Sequence, residues 1–399
     1  MQAAAARLVP LIRTEAPKIE RLGAMTPDML QALDDIGIFK MAMPPELGGS
    51  ALGARDVVEV VSTLARGDGS VAWMAFVAAG MRMVSMYPQQ LIDDISAKRD
   101  TWVGPLCIGA SVFSTVVGNA RKVDGGWMVS GKWAFGSGSK HANWASVGIQ
   151  FETEHGPGRA MAILPMEELK ILDDWQVMGL SGTASNSIAT EAEVFVPAHR
   201  VIDMRDLDGI MGSASHRYSG LAFKTSTRAA VLTISIYTVS IALGMAQGAL
   251  ECFVEQARKL RPFNLPYPTV ADMPTVQVAA AKARAMVNLA ATVIRDHAAE
   301  IDRRSLAGED FSPTEEPELT LDLVYAARLC EEATNNLQIA LGSSTARLSN
   351  PIQRFVRDIR VLTSHGALRL EPLSEINGRH MLGLEPFSMF AGGLAKVGG

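Results

Sequence analysis

The sequence predicts an α+β fold in three blocks: an N-terminal helical domain over residues 1–100, a central β domain over 101–208, and a C-terminal helical domain over 209–399. Three observations carry this. Apolar residues recur at helical spacing through the first hundred positions. Short β-prone runs broken by glycine and charged turns replace them after about Asp100. The β section ends near Val201, and past a loop the pattern returns to long helices, one of them free of charge from Ala229 to Leu250. Segregated blocks of this kind point to a separate β unit, not to a doubly wound sheet.

In the first block, Thr26 followed by Pro27 is an N-cap with proline at the first helical position. Met29, Leu30, Leu33 and Ile36 follow at helical spacing, and Gly37 stops the helix. Further helices fit Ala54 to Arg66 and Ser70 to Met86, ahead of Pro88. The run M-P-P-E-L-G-G-S between them is a turn. In the second block the pieces TVVGNARKV, GWMVSGKW, WASVGIQF, RAMAILP and EVFVP read as strands. Asp124-Gly125 between two such runs is a hairpin signal. Trp133 and Phe135, two residues apart on a strand, are expected on one sheet face.

A Gly- and Ser-rich stretch, G-I-M-G-S-A-S-H, reads as a loop into the uncharged segment. That segment is long enough to span a bilayer. Thr233, Ser235, Thr238, Ser240 and Gln247 dilute it, however, and a helix apolar on all sides also suits the centre of a bundle. Helical patterns then cover Val276 to Glu300, Leu319 to Leu341 and Asn350 to Ile376, the last carrying His365.

Composition excludes several functions. A net charge of −5 with scattered Lys and Arg leaves no footprint for nucleic acid. Cys107, Cys252 and Cys330 lie far apart and form no C-x-x-C pair. They read as small core residues in a reduced, cytoplasmic compartment, with no metal site. No secretory signal is evident. Gly126 to Trp133 matches a phosphate-binding loop until its last place, where Trp133 replaces the Mg²⁺-binding Ser or Thr. No G-x-G-x-x-G opens a βαβ unit, so a nicotinamide site is unsupported. His141, near Trp144, is expected in a surface turn.

Several strings resemble the acyl-CoA dehydrogenase family. V-M-G-L-S-G-T-A-S-N-S-I-A-T-E-A-E-V-F-V-P (Val177 to Pro197) is similar to its paired strands, and G-K-W-A-F-G-S-G-S-K-H-A-N-W (Gly131 to Trp144) to its segment beside the flavin. A-R-K-L-R-P-F (Ala257 to Phe263) resembles its R-x-x-F helix end, and R-F-V-R-D-I-R its arginine–aspartate helix. The resemblance implies a helical N-terminal domain, a β-barrel-like middle and a C-terminal four-helix bundle. It also implies a homotetramer with flavin at the junction of the β unit and the helices.

A dehydrogenase of this family needs a glutamate base. Of its two usual places, one falls here on His365-Gly366 and the other on Ile234. A histidine at that point resembles the oxygenase branch, the two-component flavin monooxygenases. R-G-D-G-S-V-A-W (Arg66 to Trp73), W-A-F-G-S-G, G-T-A-S-N and P-I-Q-R-F-V-R-D-I favour the same branch. The resemblance implies reduced FMN or FAD delivered by an NAD(P)H-dependent flavin reductase, O₂, a flavin C4a-hydroperoxide, and an aromatic or heteroaromatic substrate. His365 and Ser137 are then the expected catalytic residues, His365 holding the peroxide or activating an acidic N–H or O–H. Trp133, Phe135, Ser137, Thr183, Ser185 and Arg261 are expected at the flavin, and Trp73, Tyr218, Phe223 and Tyr237 as substrate walls. Two rivals stand beside this reading: an FAD-bound dehydrogenase with Glu371 or Glu375 as base, and a non-catalytic ligand-binding member of the fold.

Overall fold

The computed structural model describes residues 1–97, 102–114, 117–154 and 156–385. The chain opens with α1 (Gln2–Leu22), α2 (Pro27–Asp35), α3 (Ala54–Ala65), α4 (Gly69–Val84) and α5 (Gln89–Ser96). Thr26 caps α2 as its sequence requires, its hydroxyl accepting the Met29 N–H at 3.3 Å. Asp68 caps α4 by accepting the N–H groups of Ser70 and Val71 at 2.9 and 3.1 Å.

The middle of the chain builds two sheets. The strands are β1 (Cys107–Ala110), β2 (Gly118–Val123), β3 (Gly126–Ser130), β4 (Lys132–Gly136), β5 (Trp144–Thr153), β6 (Gly156–Pro165), β7 (Lys170–Ile171), β8 (Asn186–Ala189), β9 (Val194–Pro197) and β10 (Val201–Asp203). The larger sheet runs β10-β6-β5-β2-β3-β9, with β1 also paired to β5; the smaller runs β4-β8-β7. Asp124-Gly125 makes the expected hairpin, since Val123 pairs with Gly126. The expected strand start at Thr115 and Val116, and the expected boundary at residues 100 and 101, lie outside the described residues.

One expectation fails in β4. Trp133 pairs with Ile188 and Gly136 with Asn186, so three steps on β4 oppose two on β8. That extra residue is a bulge, with Phe135 at φ +59°. The bulge breaks the strict alternation, so Trp133 and Phe135 do not share a face: Trp133 is fully buried, whereas Phe135 is 69% exposed.

The remainder is α6 (Leu207–Arg217), α7 (Thr227–Ala257), α8 (Pro274–Ala307), α9 (Glu315–Leu341), α10 (Pro351–Thr363) and α11 (Leu370–Met381). The uncharged segment lies within α7, which packs against α3, α4, α8, α9 and α10. Of its most apolar stretch, 78% is buried, as the centre of a bundle demands. The Gly- and Ser-rich stretch expected as a loop is instead α6, because Ile210, Met211 and Ala214 pack on Met86 and Tyr218. The last expected helix is broken. α10 ends at Thr363, and His365 lies past it in extended backbone (φ −59°, ψ 142°). Its ring caps the following 3-10 turn, Gly366–Leu368, by accepting the Ala367 N–H.

Candidate active site

Three strained residues gather at one place. Phe135, Leu180 and Ala184 all have the left-handed φ that side chains disfavour, at +59°, +54° and +48°. Such strain persists only where the surroundings hold it, and here the holding groups are visible. An oxygen of the Asp358 carboxyl group, on α10, accepts the Leu180 N–H at 2.7 Å. A Cβ on Gly179 would lie 2.5 Å from the Arg357 carbonyl oxygen, so only glycine permits that approach. Gly182 is similarly pressed against Ile19 and Ser70.

The clamped stretch carries a line of hydroxyls. Thr183 Oγ1 lies 2.8 Å from the Leu180 carbonyl oxygen and 2.7 Å from Ser185 Oγ. Ser185 Oγ lies 2.7 Å from Ser137 Oγ, just past the end of β4. The Gly138 N–H donates to the Thr183 carbonyl at 2.7 Å, which locks the two segments together. Phe135 stands beside this line, edge-on to Trp175 at 6.3 Å between centroids.

α4 connects the hydroxyls to His365. Its Ser70 faces Gly182 and its Val77 faces Gly138, each lying within 3.4 Å of where a Cβ on that glycine would stand. Trp73 lies between them, near enough in helical phase to share that side. The Trp73 ring meets His365 edge-on at 5.7 Å. It also meets Phe76 at 4.8 Å, and Phe76 meets Tyr237 of α7 at 6.1 Å. His365 keeps an accessible side although protein surrounds it on the others, and that crowding lowers its pKa from 6.5. Its ring is therefore neutral at pH 7. With Nδ1 accepting the Ala367 N–H at 3.2 Å, the proton sits on Nε2, the free edge.

Beneath the strained loop is a buried ionic cluster. Arg354 lies 3.3 Å from Asp68 and 3.6 Å from Glu20. Burial first, and then the Asp68 charge, push Asp358 up to about 8; burial also raises Asp68. The arginine–aspartate helix thus serves as the anchor of the loop.

The other expected residues fall in different places. Trp133 is in the β core, its indole N–H donating to the Gly148 carbonyl at 2.7 Å, so its position gives it packing and no open face. Tyr218 and Phe223 meet at a tilt, 5.2 Å between centroids, in a separate small cluster with Met86. Arg82, unnoticed in the sequence, ties that region to α4 by donating to the Ala222 carbonyl and to Thr225. Arg261 lies exposed in the segment after α7. His141 lies in a turn as expected but not at the surface: it is half-buried, its Nε2 accepts the Met25 N–H at 2.9 Å, and burial lowers its pKa to about 4. All three cysteines are free and buried. Among the described residues no group of His, Cys, Asp and Glu could hold a metal. Phe76 was missed although it sits three residues after Trp73, where a helix places neighbours.

These residues fit a flavin. An exposed phenyl ring, a line of hydroxyls and a crowded histidine face suit a flat heterocycle with polar edges. The buried Trp73 Nε1 has no acceptor among the described residues, which marks a polar place the protein alone leaves unsatisfied. A separate cleft of about 470 Å³ is lined by Met86, Arg205, Ile210 and Arg217, and by neither the hydroxyl line nor His365.

The comparisons agree with the geometry. The family model "Acyl-CoA dehydrogenase, N-terminal domain" matches residues 2–90 and "Acyl-CoA dehydrogenase, C-terminal domain" residues 236–369. The chain is 28% identical over 363 residues to the flavin-dependent monooxygenase oxygenase subunit HsaA of Rhodococcus jostii, covering 90% of this chain and 92% of that one. It is 28% identical over 395 residues to the FADH(2)-dependent resorcinol hydroxylase oxygenase component of a Rhizobium species, covering 96% and 93%. Among solved structures, the 3-HSA hydroxylase from a Rhodococcus species superposes with a TM-score of 0.86 at 25% identity, covering 97% and 98%. The chain belongs to the acyl-CoA dehydrogenase family, in its branch of flavin-dependent monooxygenase oxygenase components.

Proposed function

We propose that this chain is the oxygenase of a two-component system. It takes reduced FMN or FAD from a separate NAD(P)H-dependent reductase and directs one atom of O₂ onto an aromatic or heteroaromatic small molecule such as a phenol or an indole. Reduced flavin, when bound, supplies the electrons that activate O₂. The chain's own residues do the rest. Phe135 and the Ser137–Ser185–Thr183 line bind and orient the ring. Trp73, Phe76 and Tyr237 exclude water from the place where oxygen is transferred.

The observation that carries this reading is His365. A dehydrogenase would need a carboxylate base there, and Glu371 and Glu375 both lie exposed on α11 instead. A neutral imidazole with its proton on Nε2 donates a hydrogen bond into the site, toward the oxygen being transferred. It can receive a substrate proton only after giving that one up. The donor role therefore comes first.

Two further parts of the proposal concern assembly and place. Phe263, Leu265 and Leu348 are exposed apolar side chains, and the exposed Arg261 precedes the first of them by two residues. We assign that surface to packing between copies in a homotetramer, where Arg261 would meet the phosphate of a flavin held by a neighbour. Three reduced, buried thiols suit a cytoplasmic setting.

The test supplies reduced FMN or FAD through a flavin reductase under ¹⁸O₂, with a panel of phenols and indoles. One ¹⁸O in the product, with H₂O₂ falling in step, is the expected result. Flavin oxidation that yields only H₂O₂ with every aromatic, together with bleaching of bound FAD by acyl-CoA, would sink it.

A further inference from the structure

Arg82 is a cation without an anion. It stands half-buried on α4, its Nε–H donating to the Ala222 carbonyl at 2.8 Å and its Nη2 to the Thr225 hydroxyl at 2.6 Å. The Thr225 hydroxyl donates in turn to the same carbonyl at 3.0 Å, so both acceptors are held in place. Among the described residues no carboxylate pairs with Arg82. Burial lowers its pKa to about 10, and the group that opposes this is Tyr237. A charge at such depth is costly unless an opposite charge completes it. Tying α4 to the segment before α7 needs only a neutral donor. The five-donor fork of an arginine also keeps N–H groups beyond those that Ala222 and Thr225 take.

Tyr237 leads from Arg82 to the aromatic wall of the site. Its ring meets Phe76 at 6.1 Å, Phe76 meets Trp73 at 4.8 Å, and Trp73 meets His365 at 5.7 Å. Tyr237 is buried, yet its hydroxyl makes no hydrogen bond among the described residues. Arg82 follows Trp73 by nine residues on α4, about 14 Å along the axis. The cation and His365 therefore stand toward opposite ends of one aromatic wall.

We propose that Arg82, with the Tyr237 hydroxyl, selects an aromatic substrate that carries a carboxylate on a short side chain. This rests on the proposed function, in which Trp73, Phe76 and Tyr237 wall the place where oxygen is transferred. The carboxylate accepts from the uncommitted edge of the guanidinium and from Tyr237. The ring extends past Phe76 toward Trp73 and His365. A phenolate oxygen on the reacting ring belongs at the His365 end, so the anion that Arg82 meets is the side-chain acid.

The experiment measures kcat/KM for product formation by the full-length chain, with FMN or FAD reduced by a flavin reductase. Phenolic and indolic acetic and propionic acids are compared with their primary amides, which keep the size and lose the charge. The parent should prefer acid over amide roughly 10- to 100-fold, with the difference carried in KM. Arg82→Met should bring that ratio near one, Arg82→Lys should keep part of it, and Tyr237→Phe should lower it roughly fivefold. Thermal melts establish folding, and Tyr237→Phe carries the test if Arg82→Met does not fold. A ratio near one in the parent, or one that Arg82→Met leaves unchanged, would overturn the inference while the proposed function stands. Failure of every acid, amide and neutral aromatic to gain oxygen is a different outcome, which would overturn the proposed function and this inference with it.

Discussion

Asp358 on α10 accepts the backbone N–H of Leu180 at 2.7 Å, joining the C-terminal bundle to the strained loop that carries Thr183 and Ser185. Removing that acceptor leaves a buried amide unsatisfied, at about 1–3 kcal/mol. Asp358→Ala should therefore lower thermal stability and weaken flavin binding together. Asp358→Asn keeps an acceptor and should retain most of the binding. Calorimetry with and without flavin separates the two.

The same residue gives a pH dependence of defined sign. Burial and Asp68 raise the folded Asp358 from 3.8 to about 8, so across that window the folded chain holds a proton that the unfolded chain releases. Stability is greatest at the acid side of the window and falls as pH rises through it. Urea titrations from pH 5 to pH 8.5 should show a smaller decline for Asp358→Asn. A parallel decline in both proteins would contradict the assignment.

His365 predicts a different profile. Crowding lowers its pKa below 6.5, so the neutral Nε2 donor holds further toward acid than a free imidazole would. Product formed per reduced flavin should fall along an acid limb below pH 6.5, and His365→Gln should lose that limb. His365→Ala should cut product yield about 100-fold while H₂O₂ rises and flavin affinity changes little.

Phe135 and Trp133 should behave as opposites. Phe135 is 69% exposed, so Phe135→Ala should shift stability by no more than about 0.5 kcal/mol while weakening flavin binding. Trp133 is fully buried, and Trp133→Ala should cost about 3–5 kcal/mol in chemical denaturation.

Gly179 tests the clamp. A Cβ there would sit 2.5 Å from the Arg357 carbonyl oxygen, so Gly179→Ala should destabilise by about 1–3 kcal/mol and weaken flavin binding.

Much of this was legible in the sequence because it is local. The Asp124-Gly125 hairpin, the Thr26 cap and the uncharged stretch of α7 each follow from a few adjacent residues. What escaped depends on distant partners. Nothing near Phe135 announces that β8 will oppose three steps of β4 with two, so the bulge and its exposed ring were hidden. The arginine–aspartate pair was visible, but its Leu180 partner belongs to another block. His365 read as a helical residue because no proline precedes it; Gly366 was the available sign of a break. Resemblance, not periodicity, brought Ser137, Thr183 and Ser185 together.

The most direct test of the central claim mixes the protein anaerobically with chemically reduced FMN or FAD and follows absorbance after an oxygen pulse. The account predicts that bound flavin reoxidises more slowly than free flavin, through a transient that decays faster in His365→Ala. Reoxidation at the rate of free flavin, with no transient and with oxidised FAD held tightly instead, would contradict it.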